Sequence, residues 1–456
     1  MLRHALSASA ASLLQRVTRH PVMRAAAGFA AITSVVKAVA FVKEAVVAAA
    51  FGVGTSMDSY LMALVVIGFP SAVMVNAAQT VFIREYIRII AVQGEAAAVR
   101  FLRGAIVGLL LALTVLLIAW MALLPGILSV VGHGLTPAQR ALVAANVSRL
   151  IPYYYLNGIN LLCYGVLQSR KIFVRSALIP VVTPVAIMAL VAGADADLDV
   201  LIGALTLGTG AETVLVLILM GRERLRFVAG QPAQALGSLR DFAWGTLTLV
   251  PGTLVSALAP VIEQTIASGL GRGAISALGY AAKLPATLNS LLTTAIGVTI
   301  LPYFAERLSR GDDHGCRLFF MRYVAILTLA GAAISAVAVL GSEPFVRFAF
   351  QRGQFSAQNT QLVTTLQQGY LWQLPGAMVG MVATRYVAAQ GRYRALTIGT
   401  MVMVPITGLL QWSLSVVWGA AGLAFGTSAG AALTAIAFFQ LALRRPRKPV
   451  RSWETA

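Results

Sequence analysis

The sequence predicts an all-α polytopic membrane protein: about twelve transmembrane helices in two six-helix lobes around a central cavity. Three observations predict it. Apolar residues make up 58% of the 456 and charged residues only 11%, against about 25% charged in a soluble domain. The apolar residues gather in stretches of about 20, the length of helix that crosses a hydrocarbon layer of about 30 Å. Basic residues fall in alternate connections between those stretches, as membrane topology requires. Backbone groups inside lipid must satisfy one another, so the stretches are helices or a closed barrel. The alternation of a barrel strand is absent.

In chain order the spans are 28–51, 59–83, 104–126, 141–168, 174–194, 199–220, 242–268, 275–304, 319–341, 360–388, 395–416 and 419–443. Arg3, Arg16, Arg19 and Arg24 precede span 1, and Arg84, Arg88, Arg100 and Arg103 follow span 2. Arg170, Lys171 and Arg175 follow span 4, and Arg222, Arg224, Arg226 and Arg240 follow span 6. Arg307, Arg310, Arg317 and Arg322 follow span 8, Arg392 and Arg394 follow span 10, and five more basic residues close the chain. Twenty-six of the 35 Lys and Arg thus fall on one side, and only Arg140, Arg272, Arg347 and Arg352 on the other. The rich side is cytoplasmic by the positive-inside rule, which places both termini there. The five left over lie inside spans: Lys37, Lys43, Arg149, Lys283 and Arg385.

That distribution explains the formal charge of +19 without nucleic acid. The two cysteines, Cys163 and Cys316, and four scattered histidines make neither a disulfide framework nor a metal spacing. No Gly-x4-Gly-Lys-Ser/Thr phosphate loop is present, so ATP hydrolysis by this chain is not expected. Five segments follow: a basic cytoplasmic segment 1–27, an N-lobe 28–222, a cytoplasmic linker 223–241, a C-lobe 242–443 and a basic tail 444–456. Residues 343–355, rich in Phe, are expected to lie along the outer membrane surface.

The halves repeat at a shift of 219. Glu44 falls on Glu263, Gly52 and Gly54 on Gly271 and Gly273, and Thr80 on Thr299. Tyr164 to Gln168 matches Tyr386 to Gln390 at a shift of 222. Six spans per repeat is an even number, so both lobes enter the membrane in one direction, with a cavity between them. Rocking of the two lobes follows as the transport motion.

Charges inside spans cost at least about 2.5–3.5 kcal/mol each at the bilayer centre, so they are expected to face a wet cavity or each other. Span 1 carries Lys37, Lys43 and Glu44; the others are Arg149, Glu212, Glu263, Lys283 and Arg385. Lys37 and Glu44 are seven residues apart and share a helix face about 10 Å apart. The repeat places Glu263 and Lys283 across from them. The plainer reading of Lys37, Arg149 and Arg385 is snorkelling to the interface, and that of Glu44 and Glu263 is simple pairing with lysine. Prolines interrupt several spans (Pro70, Pro152, Pro180, Pro184, Pro251, Pro260 and Pro375), and each is expected to bend its helix.

The stretch Phe41-Val-Lys-Glu-Ala-Val-Val-Ala-Ala-Ala-Phe-Gly-Val-Gly-Thr-Ser-Met-Asp58 resembles the signature of the MurJ (MviN) lipid II flippase family. So do Glu263-Gln-Thr-Ile-Ala-Ser, Tyr280-Ala-Ala-Lys-Leu284, Ile300-Leu-Pro302 and Phe348 to Phe355. The resemblance implies the fold of the multidrug/oligosaccharidyl-lipid/polysaccharide exporters and alternating-access export of an undecaprenyl-pyrophosphate-linked glycan in the bacterial inner membrane, for peptidoglycan or polysaccharide synthesis. It carries a pyrophosphate-binding role onto Lys37, Lys43 and Lys283, with Arg149 and Arg385 as further cavity candidates. It carries ion-pairing or coupling roles onto Glu44 and Asp58, beside Glu263 and Glu212. The family usually has arginine at the three lysines, and an aspartate where Ala282 stands. Fuller members also have two further C-terminal helices. The implied partners are the lipid-linked glycan, membrane lipid and enzymes of glycan synthesis. No cofactor or metal is expected, and a sodium ion or proton is the candidate coupling species. A cation-coupled drug exporter of the MATE type, and a non-transporting scaffold of a glycan-synthesis complex, are the alternatives.

Overall fold

The computed structural model describes residues 21–170, 172–193, 197–222, 236–310 and 312–444. Most of the basic N-terminal segment, the linker and the basic tail lie outside these residues. Among the described residues the chain is helical, with no strand.

The first lobe runs α1 (Pro21–Phe51), α2 (Thr55–Gln93), α3 (Glu95–Val131), α4 (Pro137–Arg149), α5 (Ile151–Ser169), α6 (Phe173–Leu178), α7 (Val182–Gly193) and α8 (Leu198–Arg222). The second runs α9 (Leu236–Ser268), α10 (Ala274–Ala281), α11 (Lys283–Ser309), α12 (Asp313–Leu340), α13 (Ser342–Phe350), α14 (Ala357–Leu371), α15 (Gln373–Ala389) and α16 (Tyr393–Leu443). Seven of these segments are continuous, long and apolar enough to cross a membrane, counting α6 and α7 as one. α16 crosses twice: Trp418 and Gly419 leave helical geometry, Gly419 with φ +58°, and the arms fold back on each other. Gly422, Gly426 and Gly430 line that seam against Leu414, Gln411 and Thr407, where any side chain would hold the arms apart. The remaining predicted spans are α1, which carries four charges, and the broken pairs α4/α5, α10/α11 and α14/α15.

The breaks follow proline chemistry. α4 gives way to α5 at Leu150, two residues before Pro152. α10 gives way to α11 at Ala282, three before Pro285, and α14 to α15 at Trp372, three before Pro375. Each proline ring strikes the carbonyl four residues back. Residues 179–181 form a 3-10 turn around Pro180. The expected interruption at Pro70 does not occur: α2 passes through it unbroken. The carbonyl that Pro70 leaves without a donor is that of Val66. Trp120 Nε1 on α3 donates to it at 3.1 Å, and the Trp120 ring stacks on Phe69. Pro251 and Pro260 likewise sit within a continuous α9. Residues 343–355 prove to be the short helix α13 and its following turn, with Phe348 exposed and Arg352 over its ring.

Two apolar cores hold the molecule. The larger joins the first lobe to one end of the second, taking in Ile275, Leu278 and Tyr280 of α10, Phe350 of α13, and Val363 and Tyr370 of α14. The smaller lies at the other end of the second lobe alone, around Phe304, Phe320, Val382, Tyr386 and Phe438. The lobes therefore share a core at the end holding Gly52 and Gly271, which the charge pattern predicts to be outer. The early part of α9, which the sequence places in the C-lobe, packs on the first lobe. Phe242 meets Phe82 and Phe101, Gly245 lies on Val81, and Thr253 Oγ1 donates to the Val73 carbonyl at 3.0 Å.

Candidate functional site

At the shared end, Asp58 opens the construction. It lies in the first turn of α2, 4% exposed, and its carboxylate accepts the backbone N–H of Gly273 at 2.6 Å and of Ser276 at 2.7 Å. Both donors belong to the start of α10, where N–H groups lack helical acceptors and an anion is favoured. The Gly54 N–H returns a bond to Ser276 Oγ at 3.2 Å. Gly52, Gly271 and Gly273 all have positive φ, and a Cβ on Gly52 would come within 2.5 Å of the Gln354 carbonyl oxygen. Three of the glycines that mark the repeat in the sequence thus meet the opposite lobe: Gly52 at Gln354, Gly54 at Ser276 and Gly273 at Val53. Asp58 was expected among ion-pairing groups; here its partners are backbone amides.

α10, so anchored, is only eight residues long, and the break at Ala282 places Lys283 at the head of α11. Its ammonium reaches Glu44 Oε1 on α1 at 2.9 Å. Lys43 Nζ reaches the same oxygen at 2.5 Å. Glu44 is thus shared by two ammoniums from opposite lobes, and the three carry a net charge of +1. Their side chains are 20% (Lys43), 13% (Glu44) and 35% (Lys283) exposed, so the cluster is half-buried but open to water. It sits about 10–12 Å along α1 from the Phe51 terminus. Lys37, two turns deeper and half-buried, makes no ion pair with a described residue.

The other charged candidates stand apart from this cluster. Glu263 bonds within its own lobe: Tyr370 on α14 donates to it, and this end of α9 packs on the second lobe, with Ile262 against Gly408. Glu212 on α8 accepts from Tyr164 Oη and Thr183 Oγ1, each at 2.7 Å, inside the first lobe. Arg149 is exposed and pairs with Asp199 at the start of α8. Arg385 is exposed on α15 and joins no ion pair among the described residues. Among the described residues no group of three His, Cys, Asp or Glu could hold a metal. Sequence reasoning missed Ser276, Tyr164, Thr183 and Tyr370. These hydroxyls are 29 to 218 residues from the carboxylates they serve or adjoin, and no local spacing marks them.

Helices in two lobes, joined at one end and carrying a cationic cluster between them, define a polytopic membrane transporter. A family model described as lipid II flippase MurJ matches residues 47–455, beginning three residues after Glu44. The chain belongs to the MurJ lipid II flippase family, and it is a multi-pass inner-membrane protein. It is similar to the lipid II flippase MurJ of Burkholderia cenocepacia, 27% identical over 424 residues, which cover 88% of this chain and 80% of the relative. A probable lipid II flippase of Rhizobium meliloti is 24% identical over 347 residues, 74% of this chain and 64% of that one. Among solved structures, an inward closed conformation of the lipid II flippase MurJ superposes with TM-score 0.75 at 17% identity, covering 92% of this chain and 88% of its own. An inward-facing MATE transporter gives 0.70 at 12%, covering 91% and 97%. These likenesses show the shared two-lobe fold; the family match separates this chain from the drug exporters.

Proposed function

We propose that the chain moves an undecaprenyl-pyrophosphate-linked glycan precursor, lipid II or an oligosaccharide of the same anchor, from the inner to the outer leaflet by alternating access. The observation that carries this is the Lys43–Glu44–Lys283 cluster joining the lobes. A pyrophosphate entering between the lobes meets two ammoniums already gathered, with Lys37 as a third cation on the α1 stripe. Lysine offers a mobile point charge in place of the planar fork of arginine, so this site grips by charge more than by bidentate geometry. The substrate competes with Glu44 for the lysines, and its arrival loosens the bond from Lys283 to α1 that spans the lobes. Both termini face the cytoplasm in this reading, and the Gly52 end is the outer gate, closed by Asp58 on α10.

Depleting the protein from cells tests the reading. The lipid-linked precursor is expected to accumulate on the cytoplasmic face within a generation or two. Unchanged precursor together with raised sensitivity to cationic drugs would replace it with the drug-exporter reading.

A further inference from the structure

We propose that α13 and the turn after it form a docking surface for the phosphate of an anionic phospholipid in the outer leaflet, and that a lipid seated there holds α1 in the closed outer gate. The orientation is that of the flippase reading, with the Gly52 end outward. Basic residues are depleted on the outer side of a membrane protein, and this sequence places only four there. The protein itself occupies two of them. The Arg140 guanidinium donates to the carbonyls of Gly132 and His133, each at 3.0 Å, and Arg272 donates to Thr55 Oγ1 at 3.2 Å. The other two, Arg347 and Arg352, stand five residues apart on α13 and its turn, both exposed. Arg352 gives one nitrogen to the Phe348 carbonyl at 2.9 Å and lies over the Phe348 ring, 5.6 Å from its centre. Arg347 joins no ion pair among the described residues, although Glu343 stands one turn before it.

The surface has the chemistry of an interfacial helix. Val346, Ala349 and Phe350 are buried, while Glu343, Pro344, Arg347 and Phe348 are exposed. Phe348 is 76% exposed, and Leu340, where α12 ends, is 83% exposed. Apolar side chains left bare at the end of a span lie in the acyl boundary, with an aromatic ring at headgroup level. Arg352 over that ring and Arg347 on the same exposed face then meet the phosphate plane, where a guanidinium binds phosphate oxygens in pairs. The same element grips α1. Phe345 and Phe350 pack on the Phe41 ring at 5.5 and 5.6 Å. Gly353, with φ +55°, brings the turn so close that a Cβ would lie 2.3 Å from the Ala49 carbonyl oxygen, and the Gln354 N–H donates to that oxygen at 2.8 Å. Phe41 and Ala49 flank Lys43 and Glu44. A phosphate held by Arg347 and Arg352 fixes the turn and, through it, the part of α1 that carries the cluster.

The test uses the full-length protein without glycan substrate, so its failure leaves the flippase reading untouched. Gly54→Cys with Ser276→Cys reports the closed gate by its rate of disulfide formation, in nanodiscs of phosphatidylcholine alone or mixed with phosphatidylglycerol. Phosphatidylglycerol is expected to speed the cross-link in a saturable way. One arginine near an anionic surface is worth about fivefold in affinity. Arg347→Gln is therefore expected to raise the phosphatidylglycerol content needed for half the effect about fivefold, and Arg347→Gln with Arg352→Gln to abolish the response. Arg310→Gln, on the cytoplasmic side, is expected to respond as the parent does. Should the cysteine pair misfold, the unfolding temperature of the protein without it decides: phosphatidylglycerol is expected to raise it in the parent more than in the double arginine variant. A cross-link or unfolding temperature indifferent to phosphatidylglycerol, or a response that survives loss of both arginines, overturns the proposal. The same response to inorganic phosphate in phosphatidylcholine alone also overturns it and makes the surface one for a soluble anion.

Discussion

Glu44 holds two ammoniums on a single oxygen, so it stabilises the cluster and competes with any anion that enters. Glu44→Gln leaves Lys43 and Lys283 close and unneutralised. It is expected to cost about 1–3 kcal/mol of stability, below the 3–5 of a fully buried broken pair because water reaches Lys283, and to strengthen binding of inorganic pyrophosphate. Calorimetric titration checks the second effect; weaker binding than in the parent contradicts the competition. Asp58→Ala removes the acceptor of two buried amides, each worth about 1–3 kcal/mol. Thermal unfolding should fall accordingly, whereas Asp58→Asn, which keeps an acceptor oxygen, should lose less. The three members of the cluster were legible because charges stand out in apolar spans. Their partition was less so: Arg149 and Glu212 look equally buried in sequence, yet one pairs at an exposed helix junction and the other lies among hydroxyls.

Whether a proline breaks its helix depends on who serves the orphaned carbonyl. At Pro70 the donor is Trp120 from the neighbouring helix, a contact 54 residues away that no local pattern announces. Trp120→Phe keeps the ring stacked on Phe69 but removes the N–H. It is expected to cost about 1–3 kcal/mol, read as a lower unfolding temperature; an unchanged temperature contradicts this account of the straight α2. The order of spans was legible almost throughout, because apolar length and basic loops report directly on the bilayer. The break at Ala282, which aims Lys283 at the first lobe, was not foreseen: Pro285 hides inside an apolar run and its effect is felt four residues back.

The whole molecule is bound at one end by Asp58 on α10, by the glycine turns and by the Gln354 N–H on the Ala49 carbonyl at 2.8 Å. At the other end α9 ties across: Arg88 pairs with Glu85 of its own helix at 2.6 Å and lies 3.6 Å from Asp241. Transport by alternating access requires the first set to part. A disulfide between Gly54→Cys and Ser276→Cys, neighbours across the lobes, is therefore expected to stop flipping, and reductant to restore it. Full activity in the oxidised form contradicts a gate at this end. The repeat foretold that the lobes correspond but not where each half of α9 attaches, since packing across lobes leaves no trace in a shift of register.

The most direct test of the cationic cluster reconstitutes the protein in vesicles with a fluorescent polyprenyl-pyrophosphate glycan and follows its appearance on the far leaflet. The parent should flip it. Lys43→Ala with Lys283→Ala should reduce the rate to that of empty vesicles, while the variant still purifies as a folded membrane protein. Flipping at the parental rate by that double variant would contradict the account.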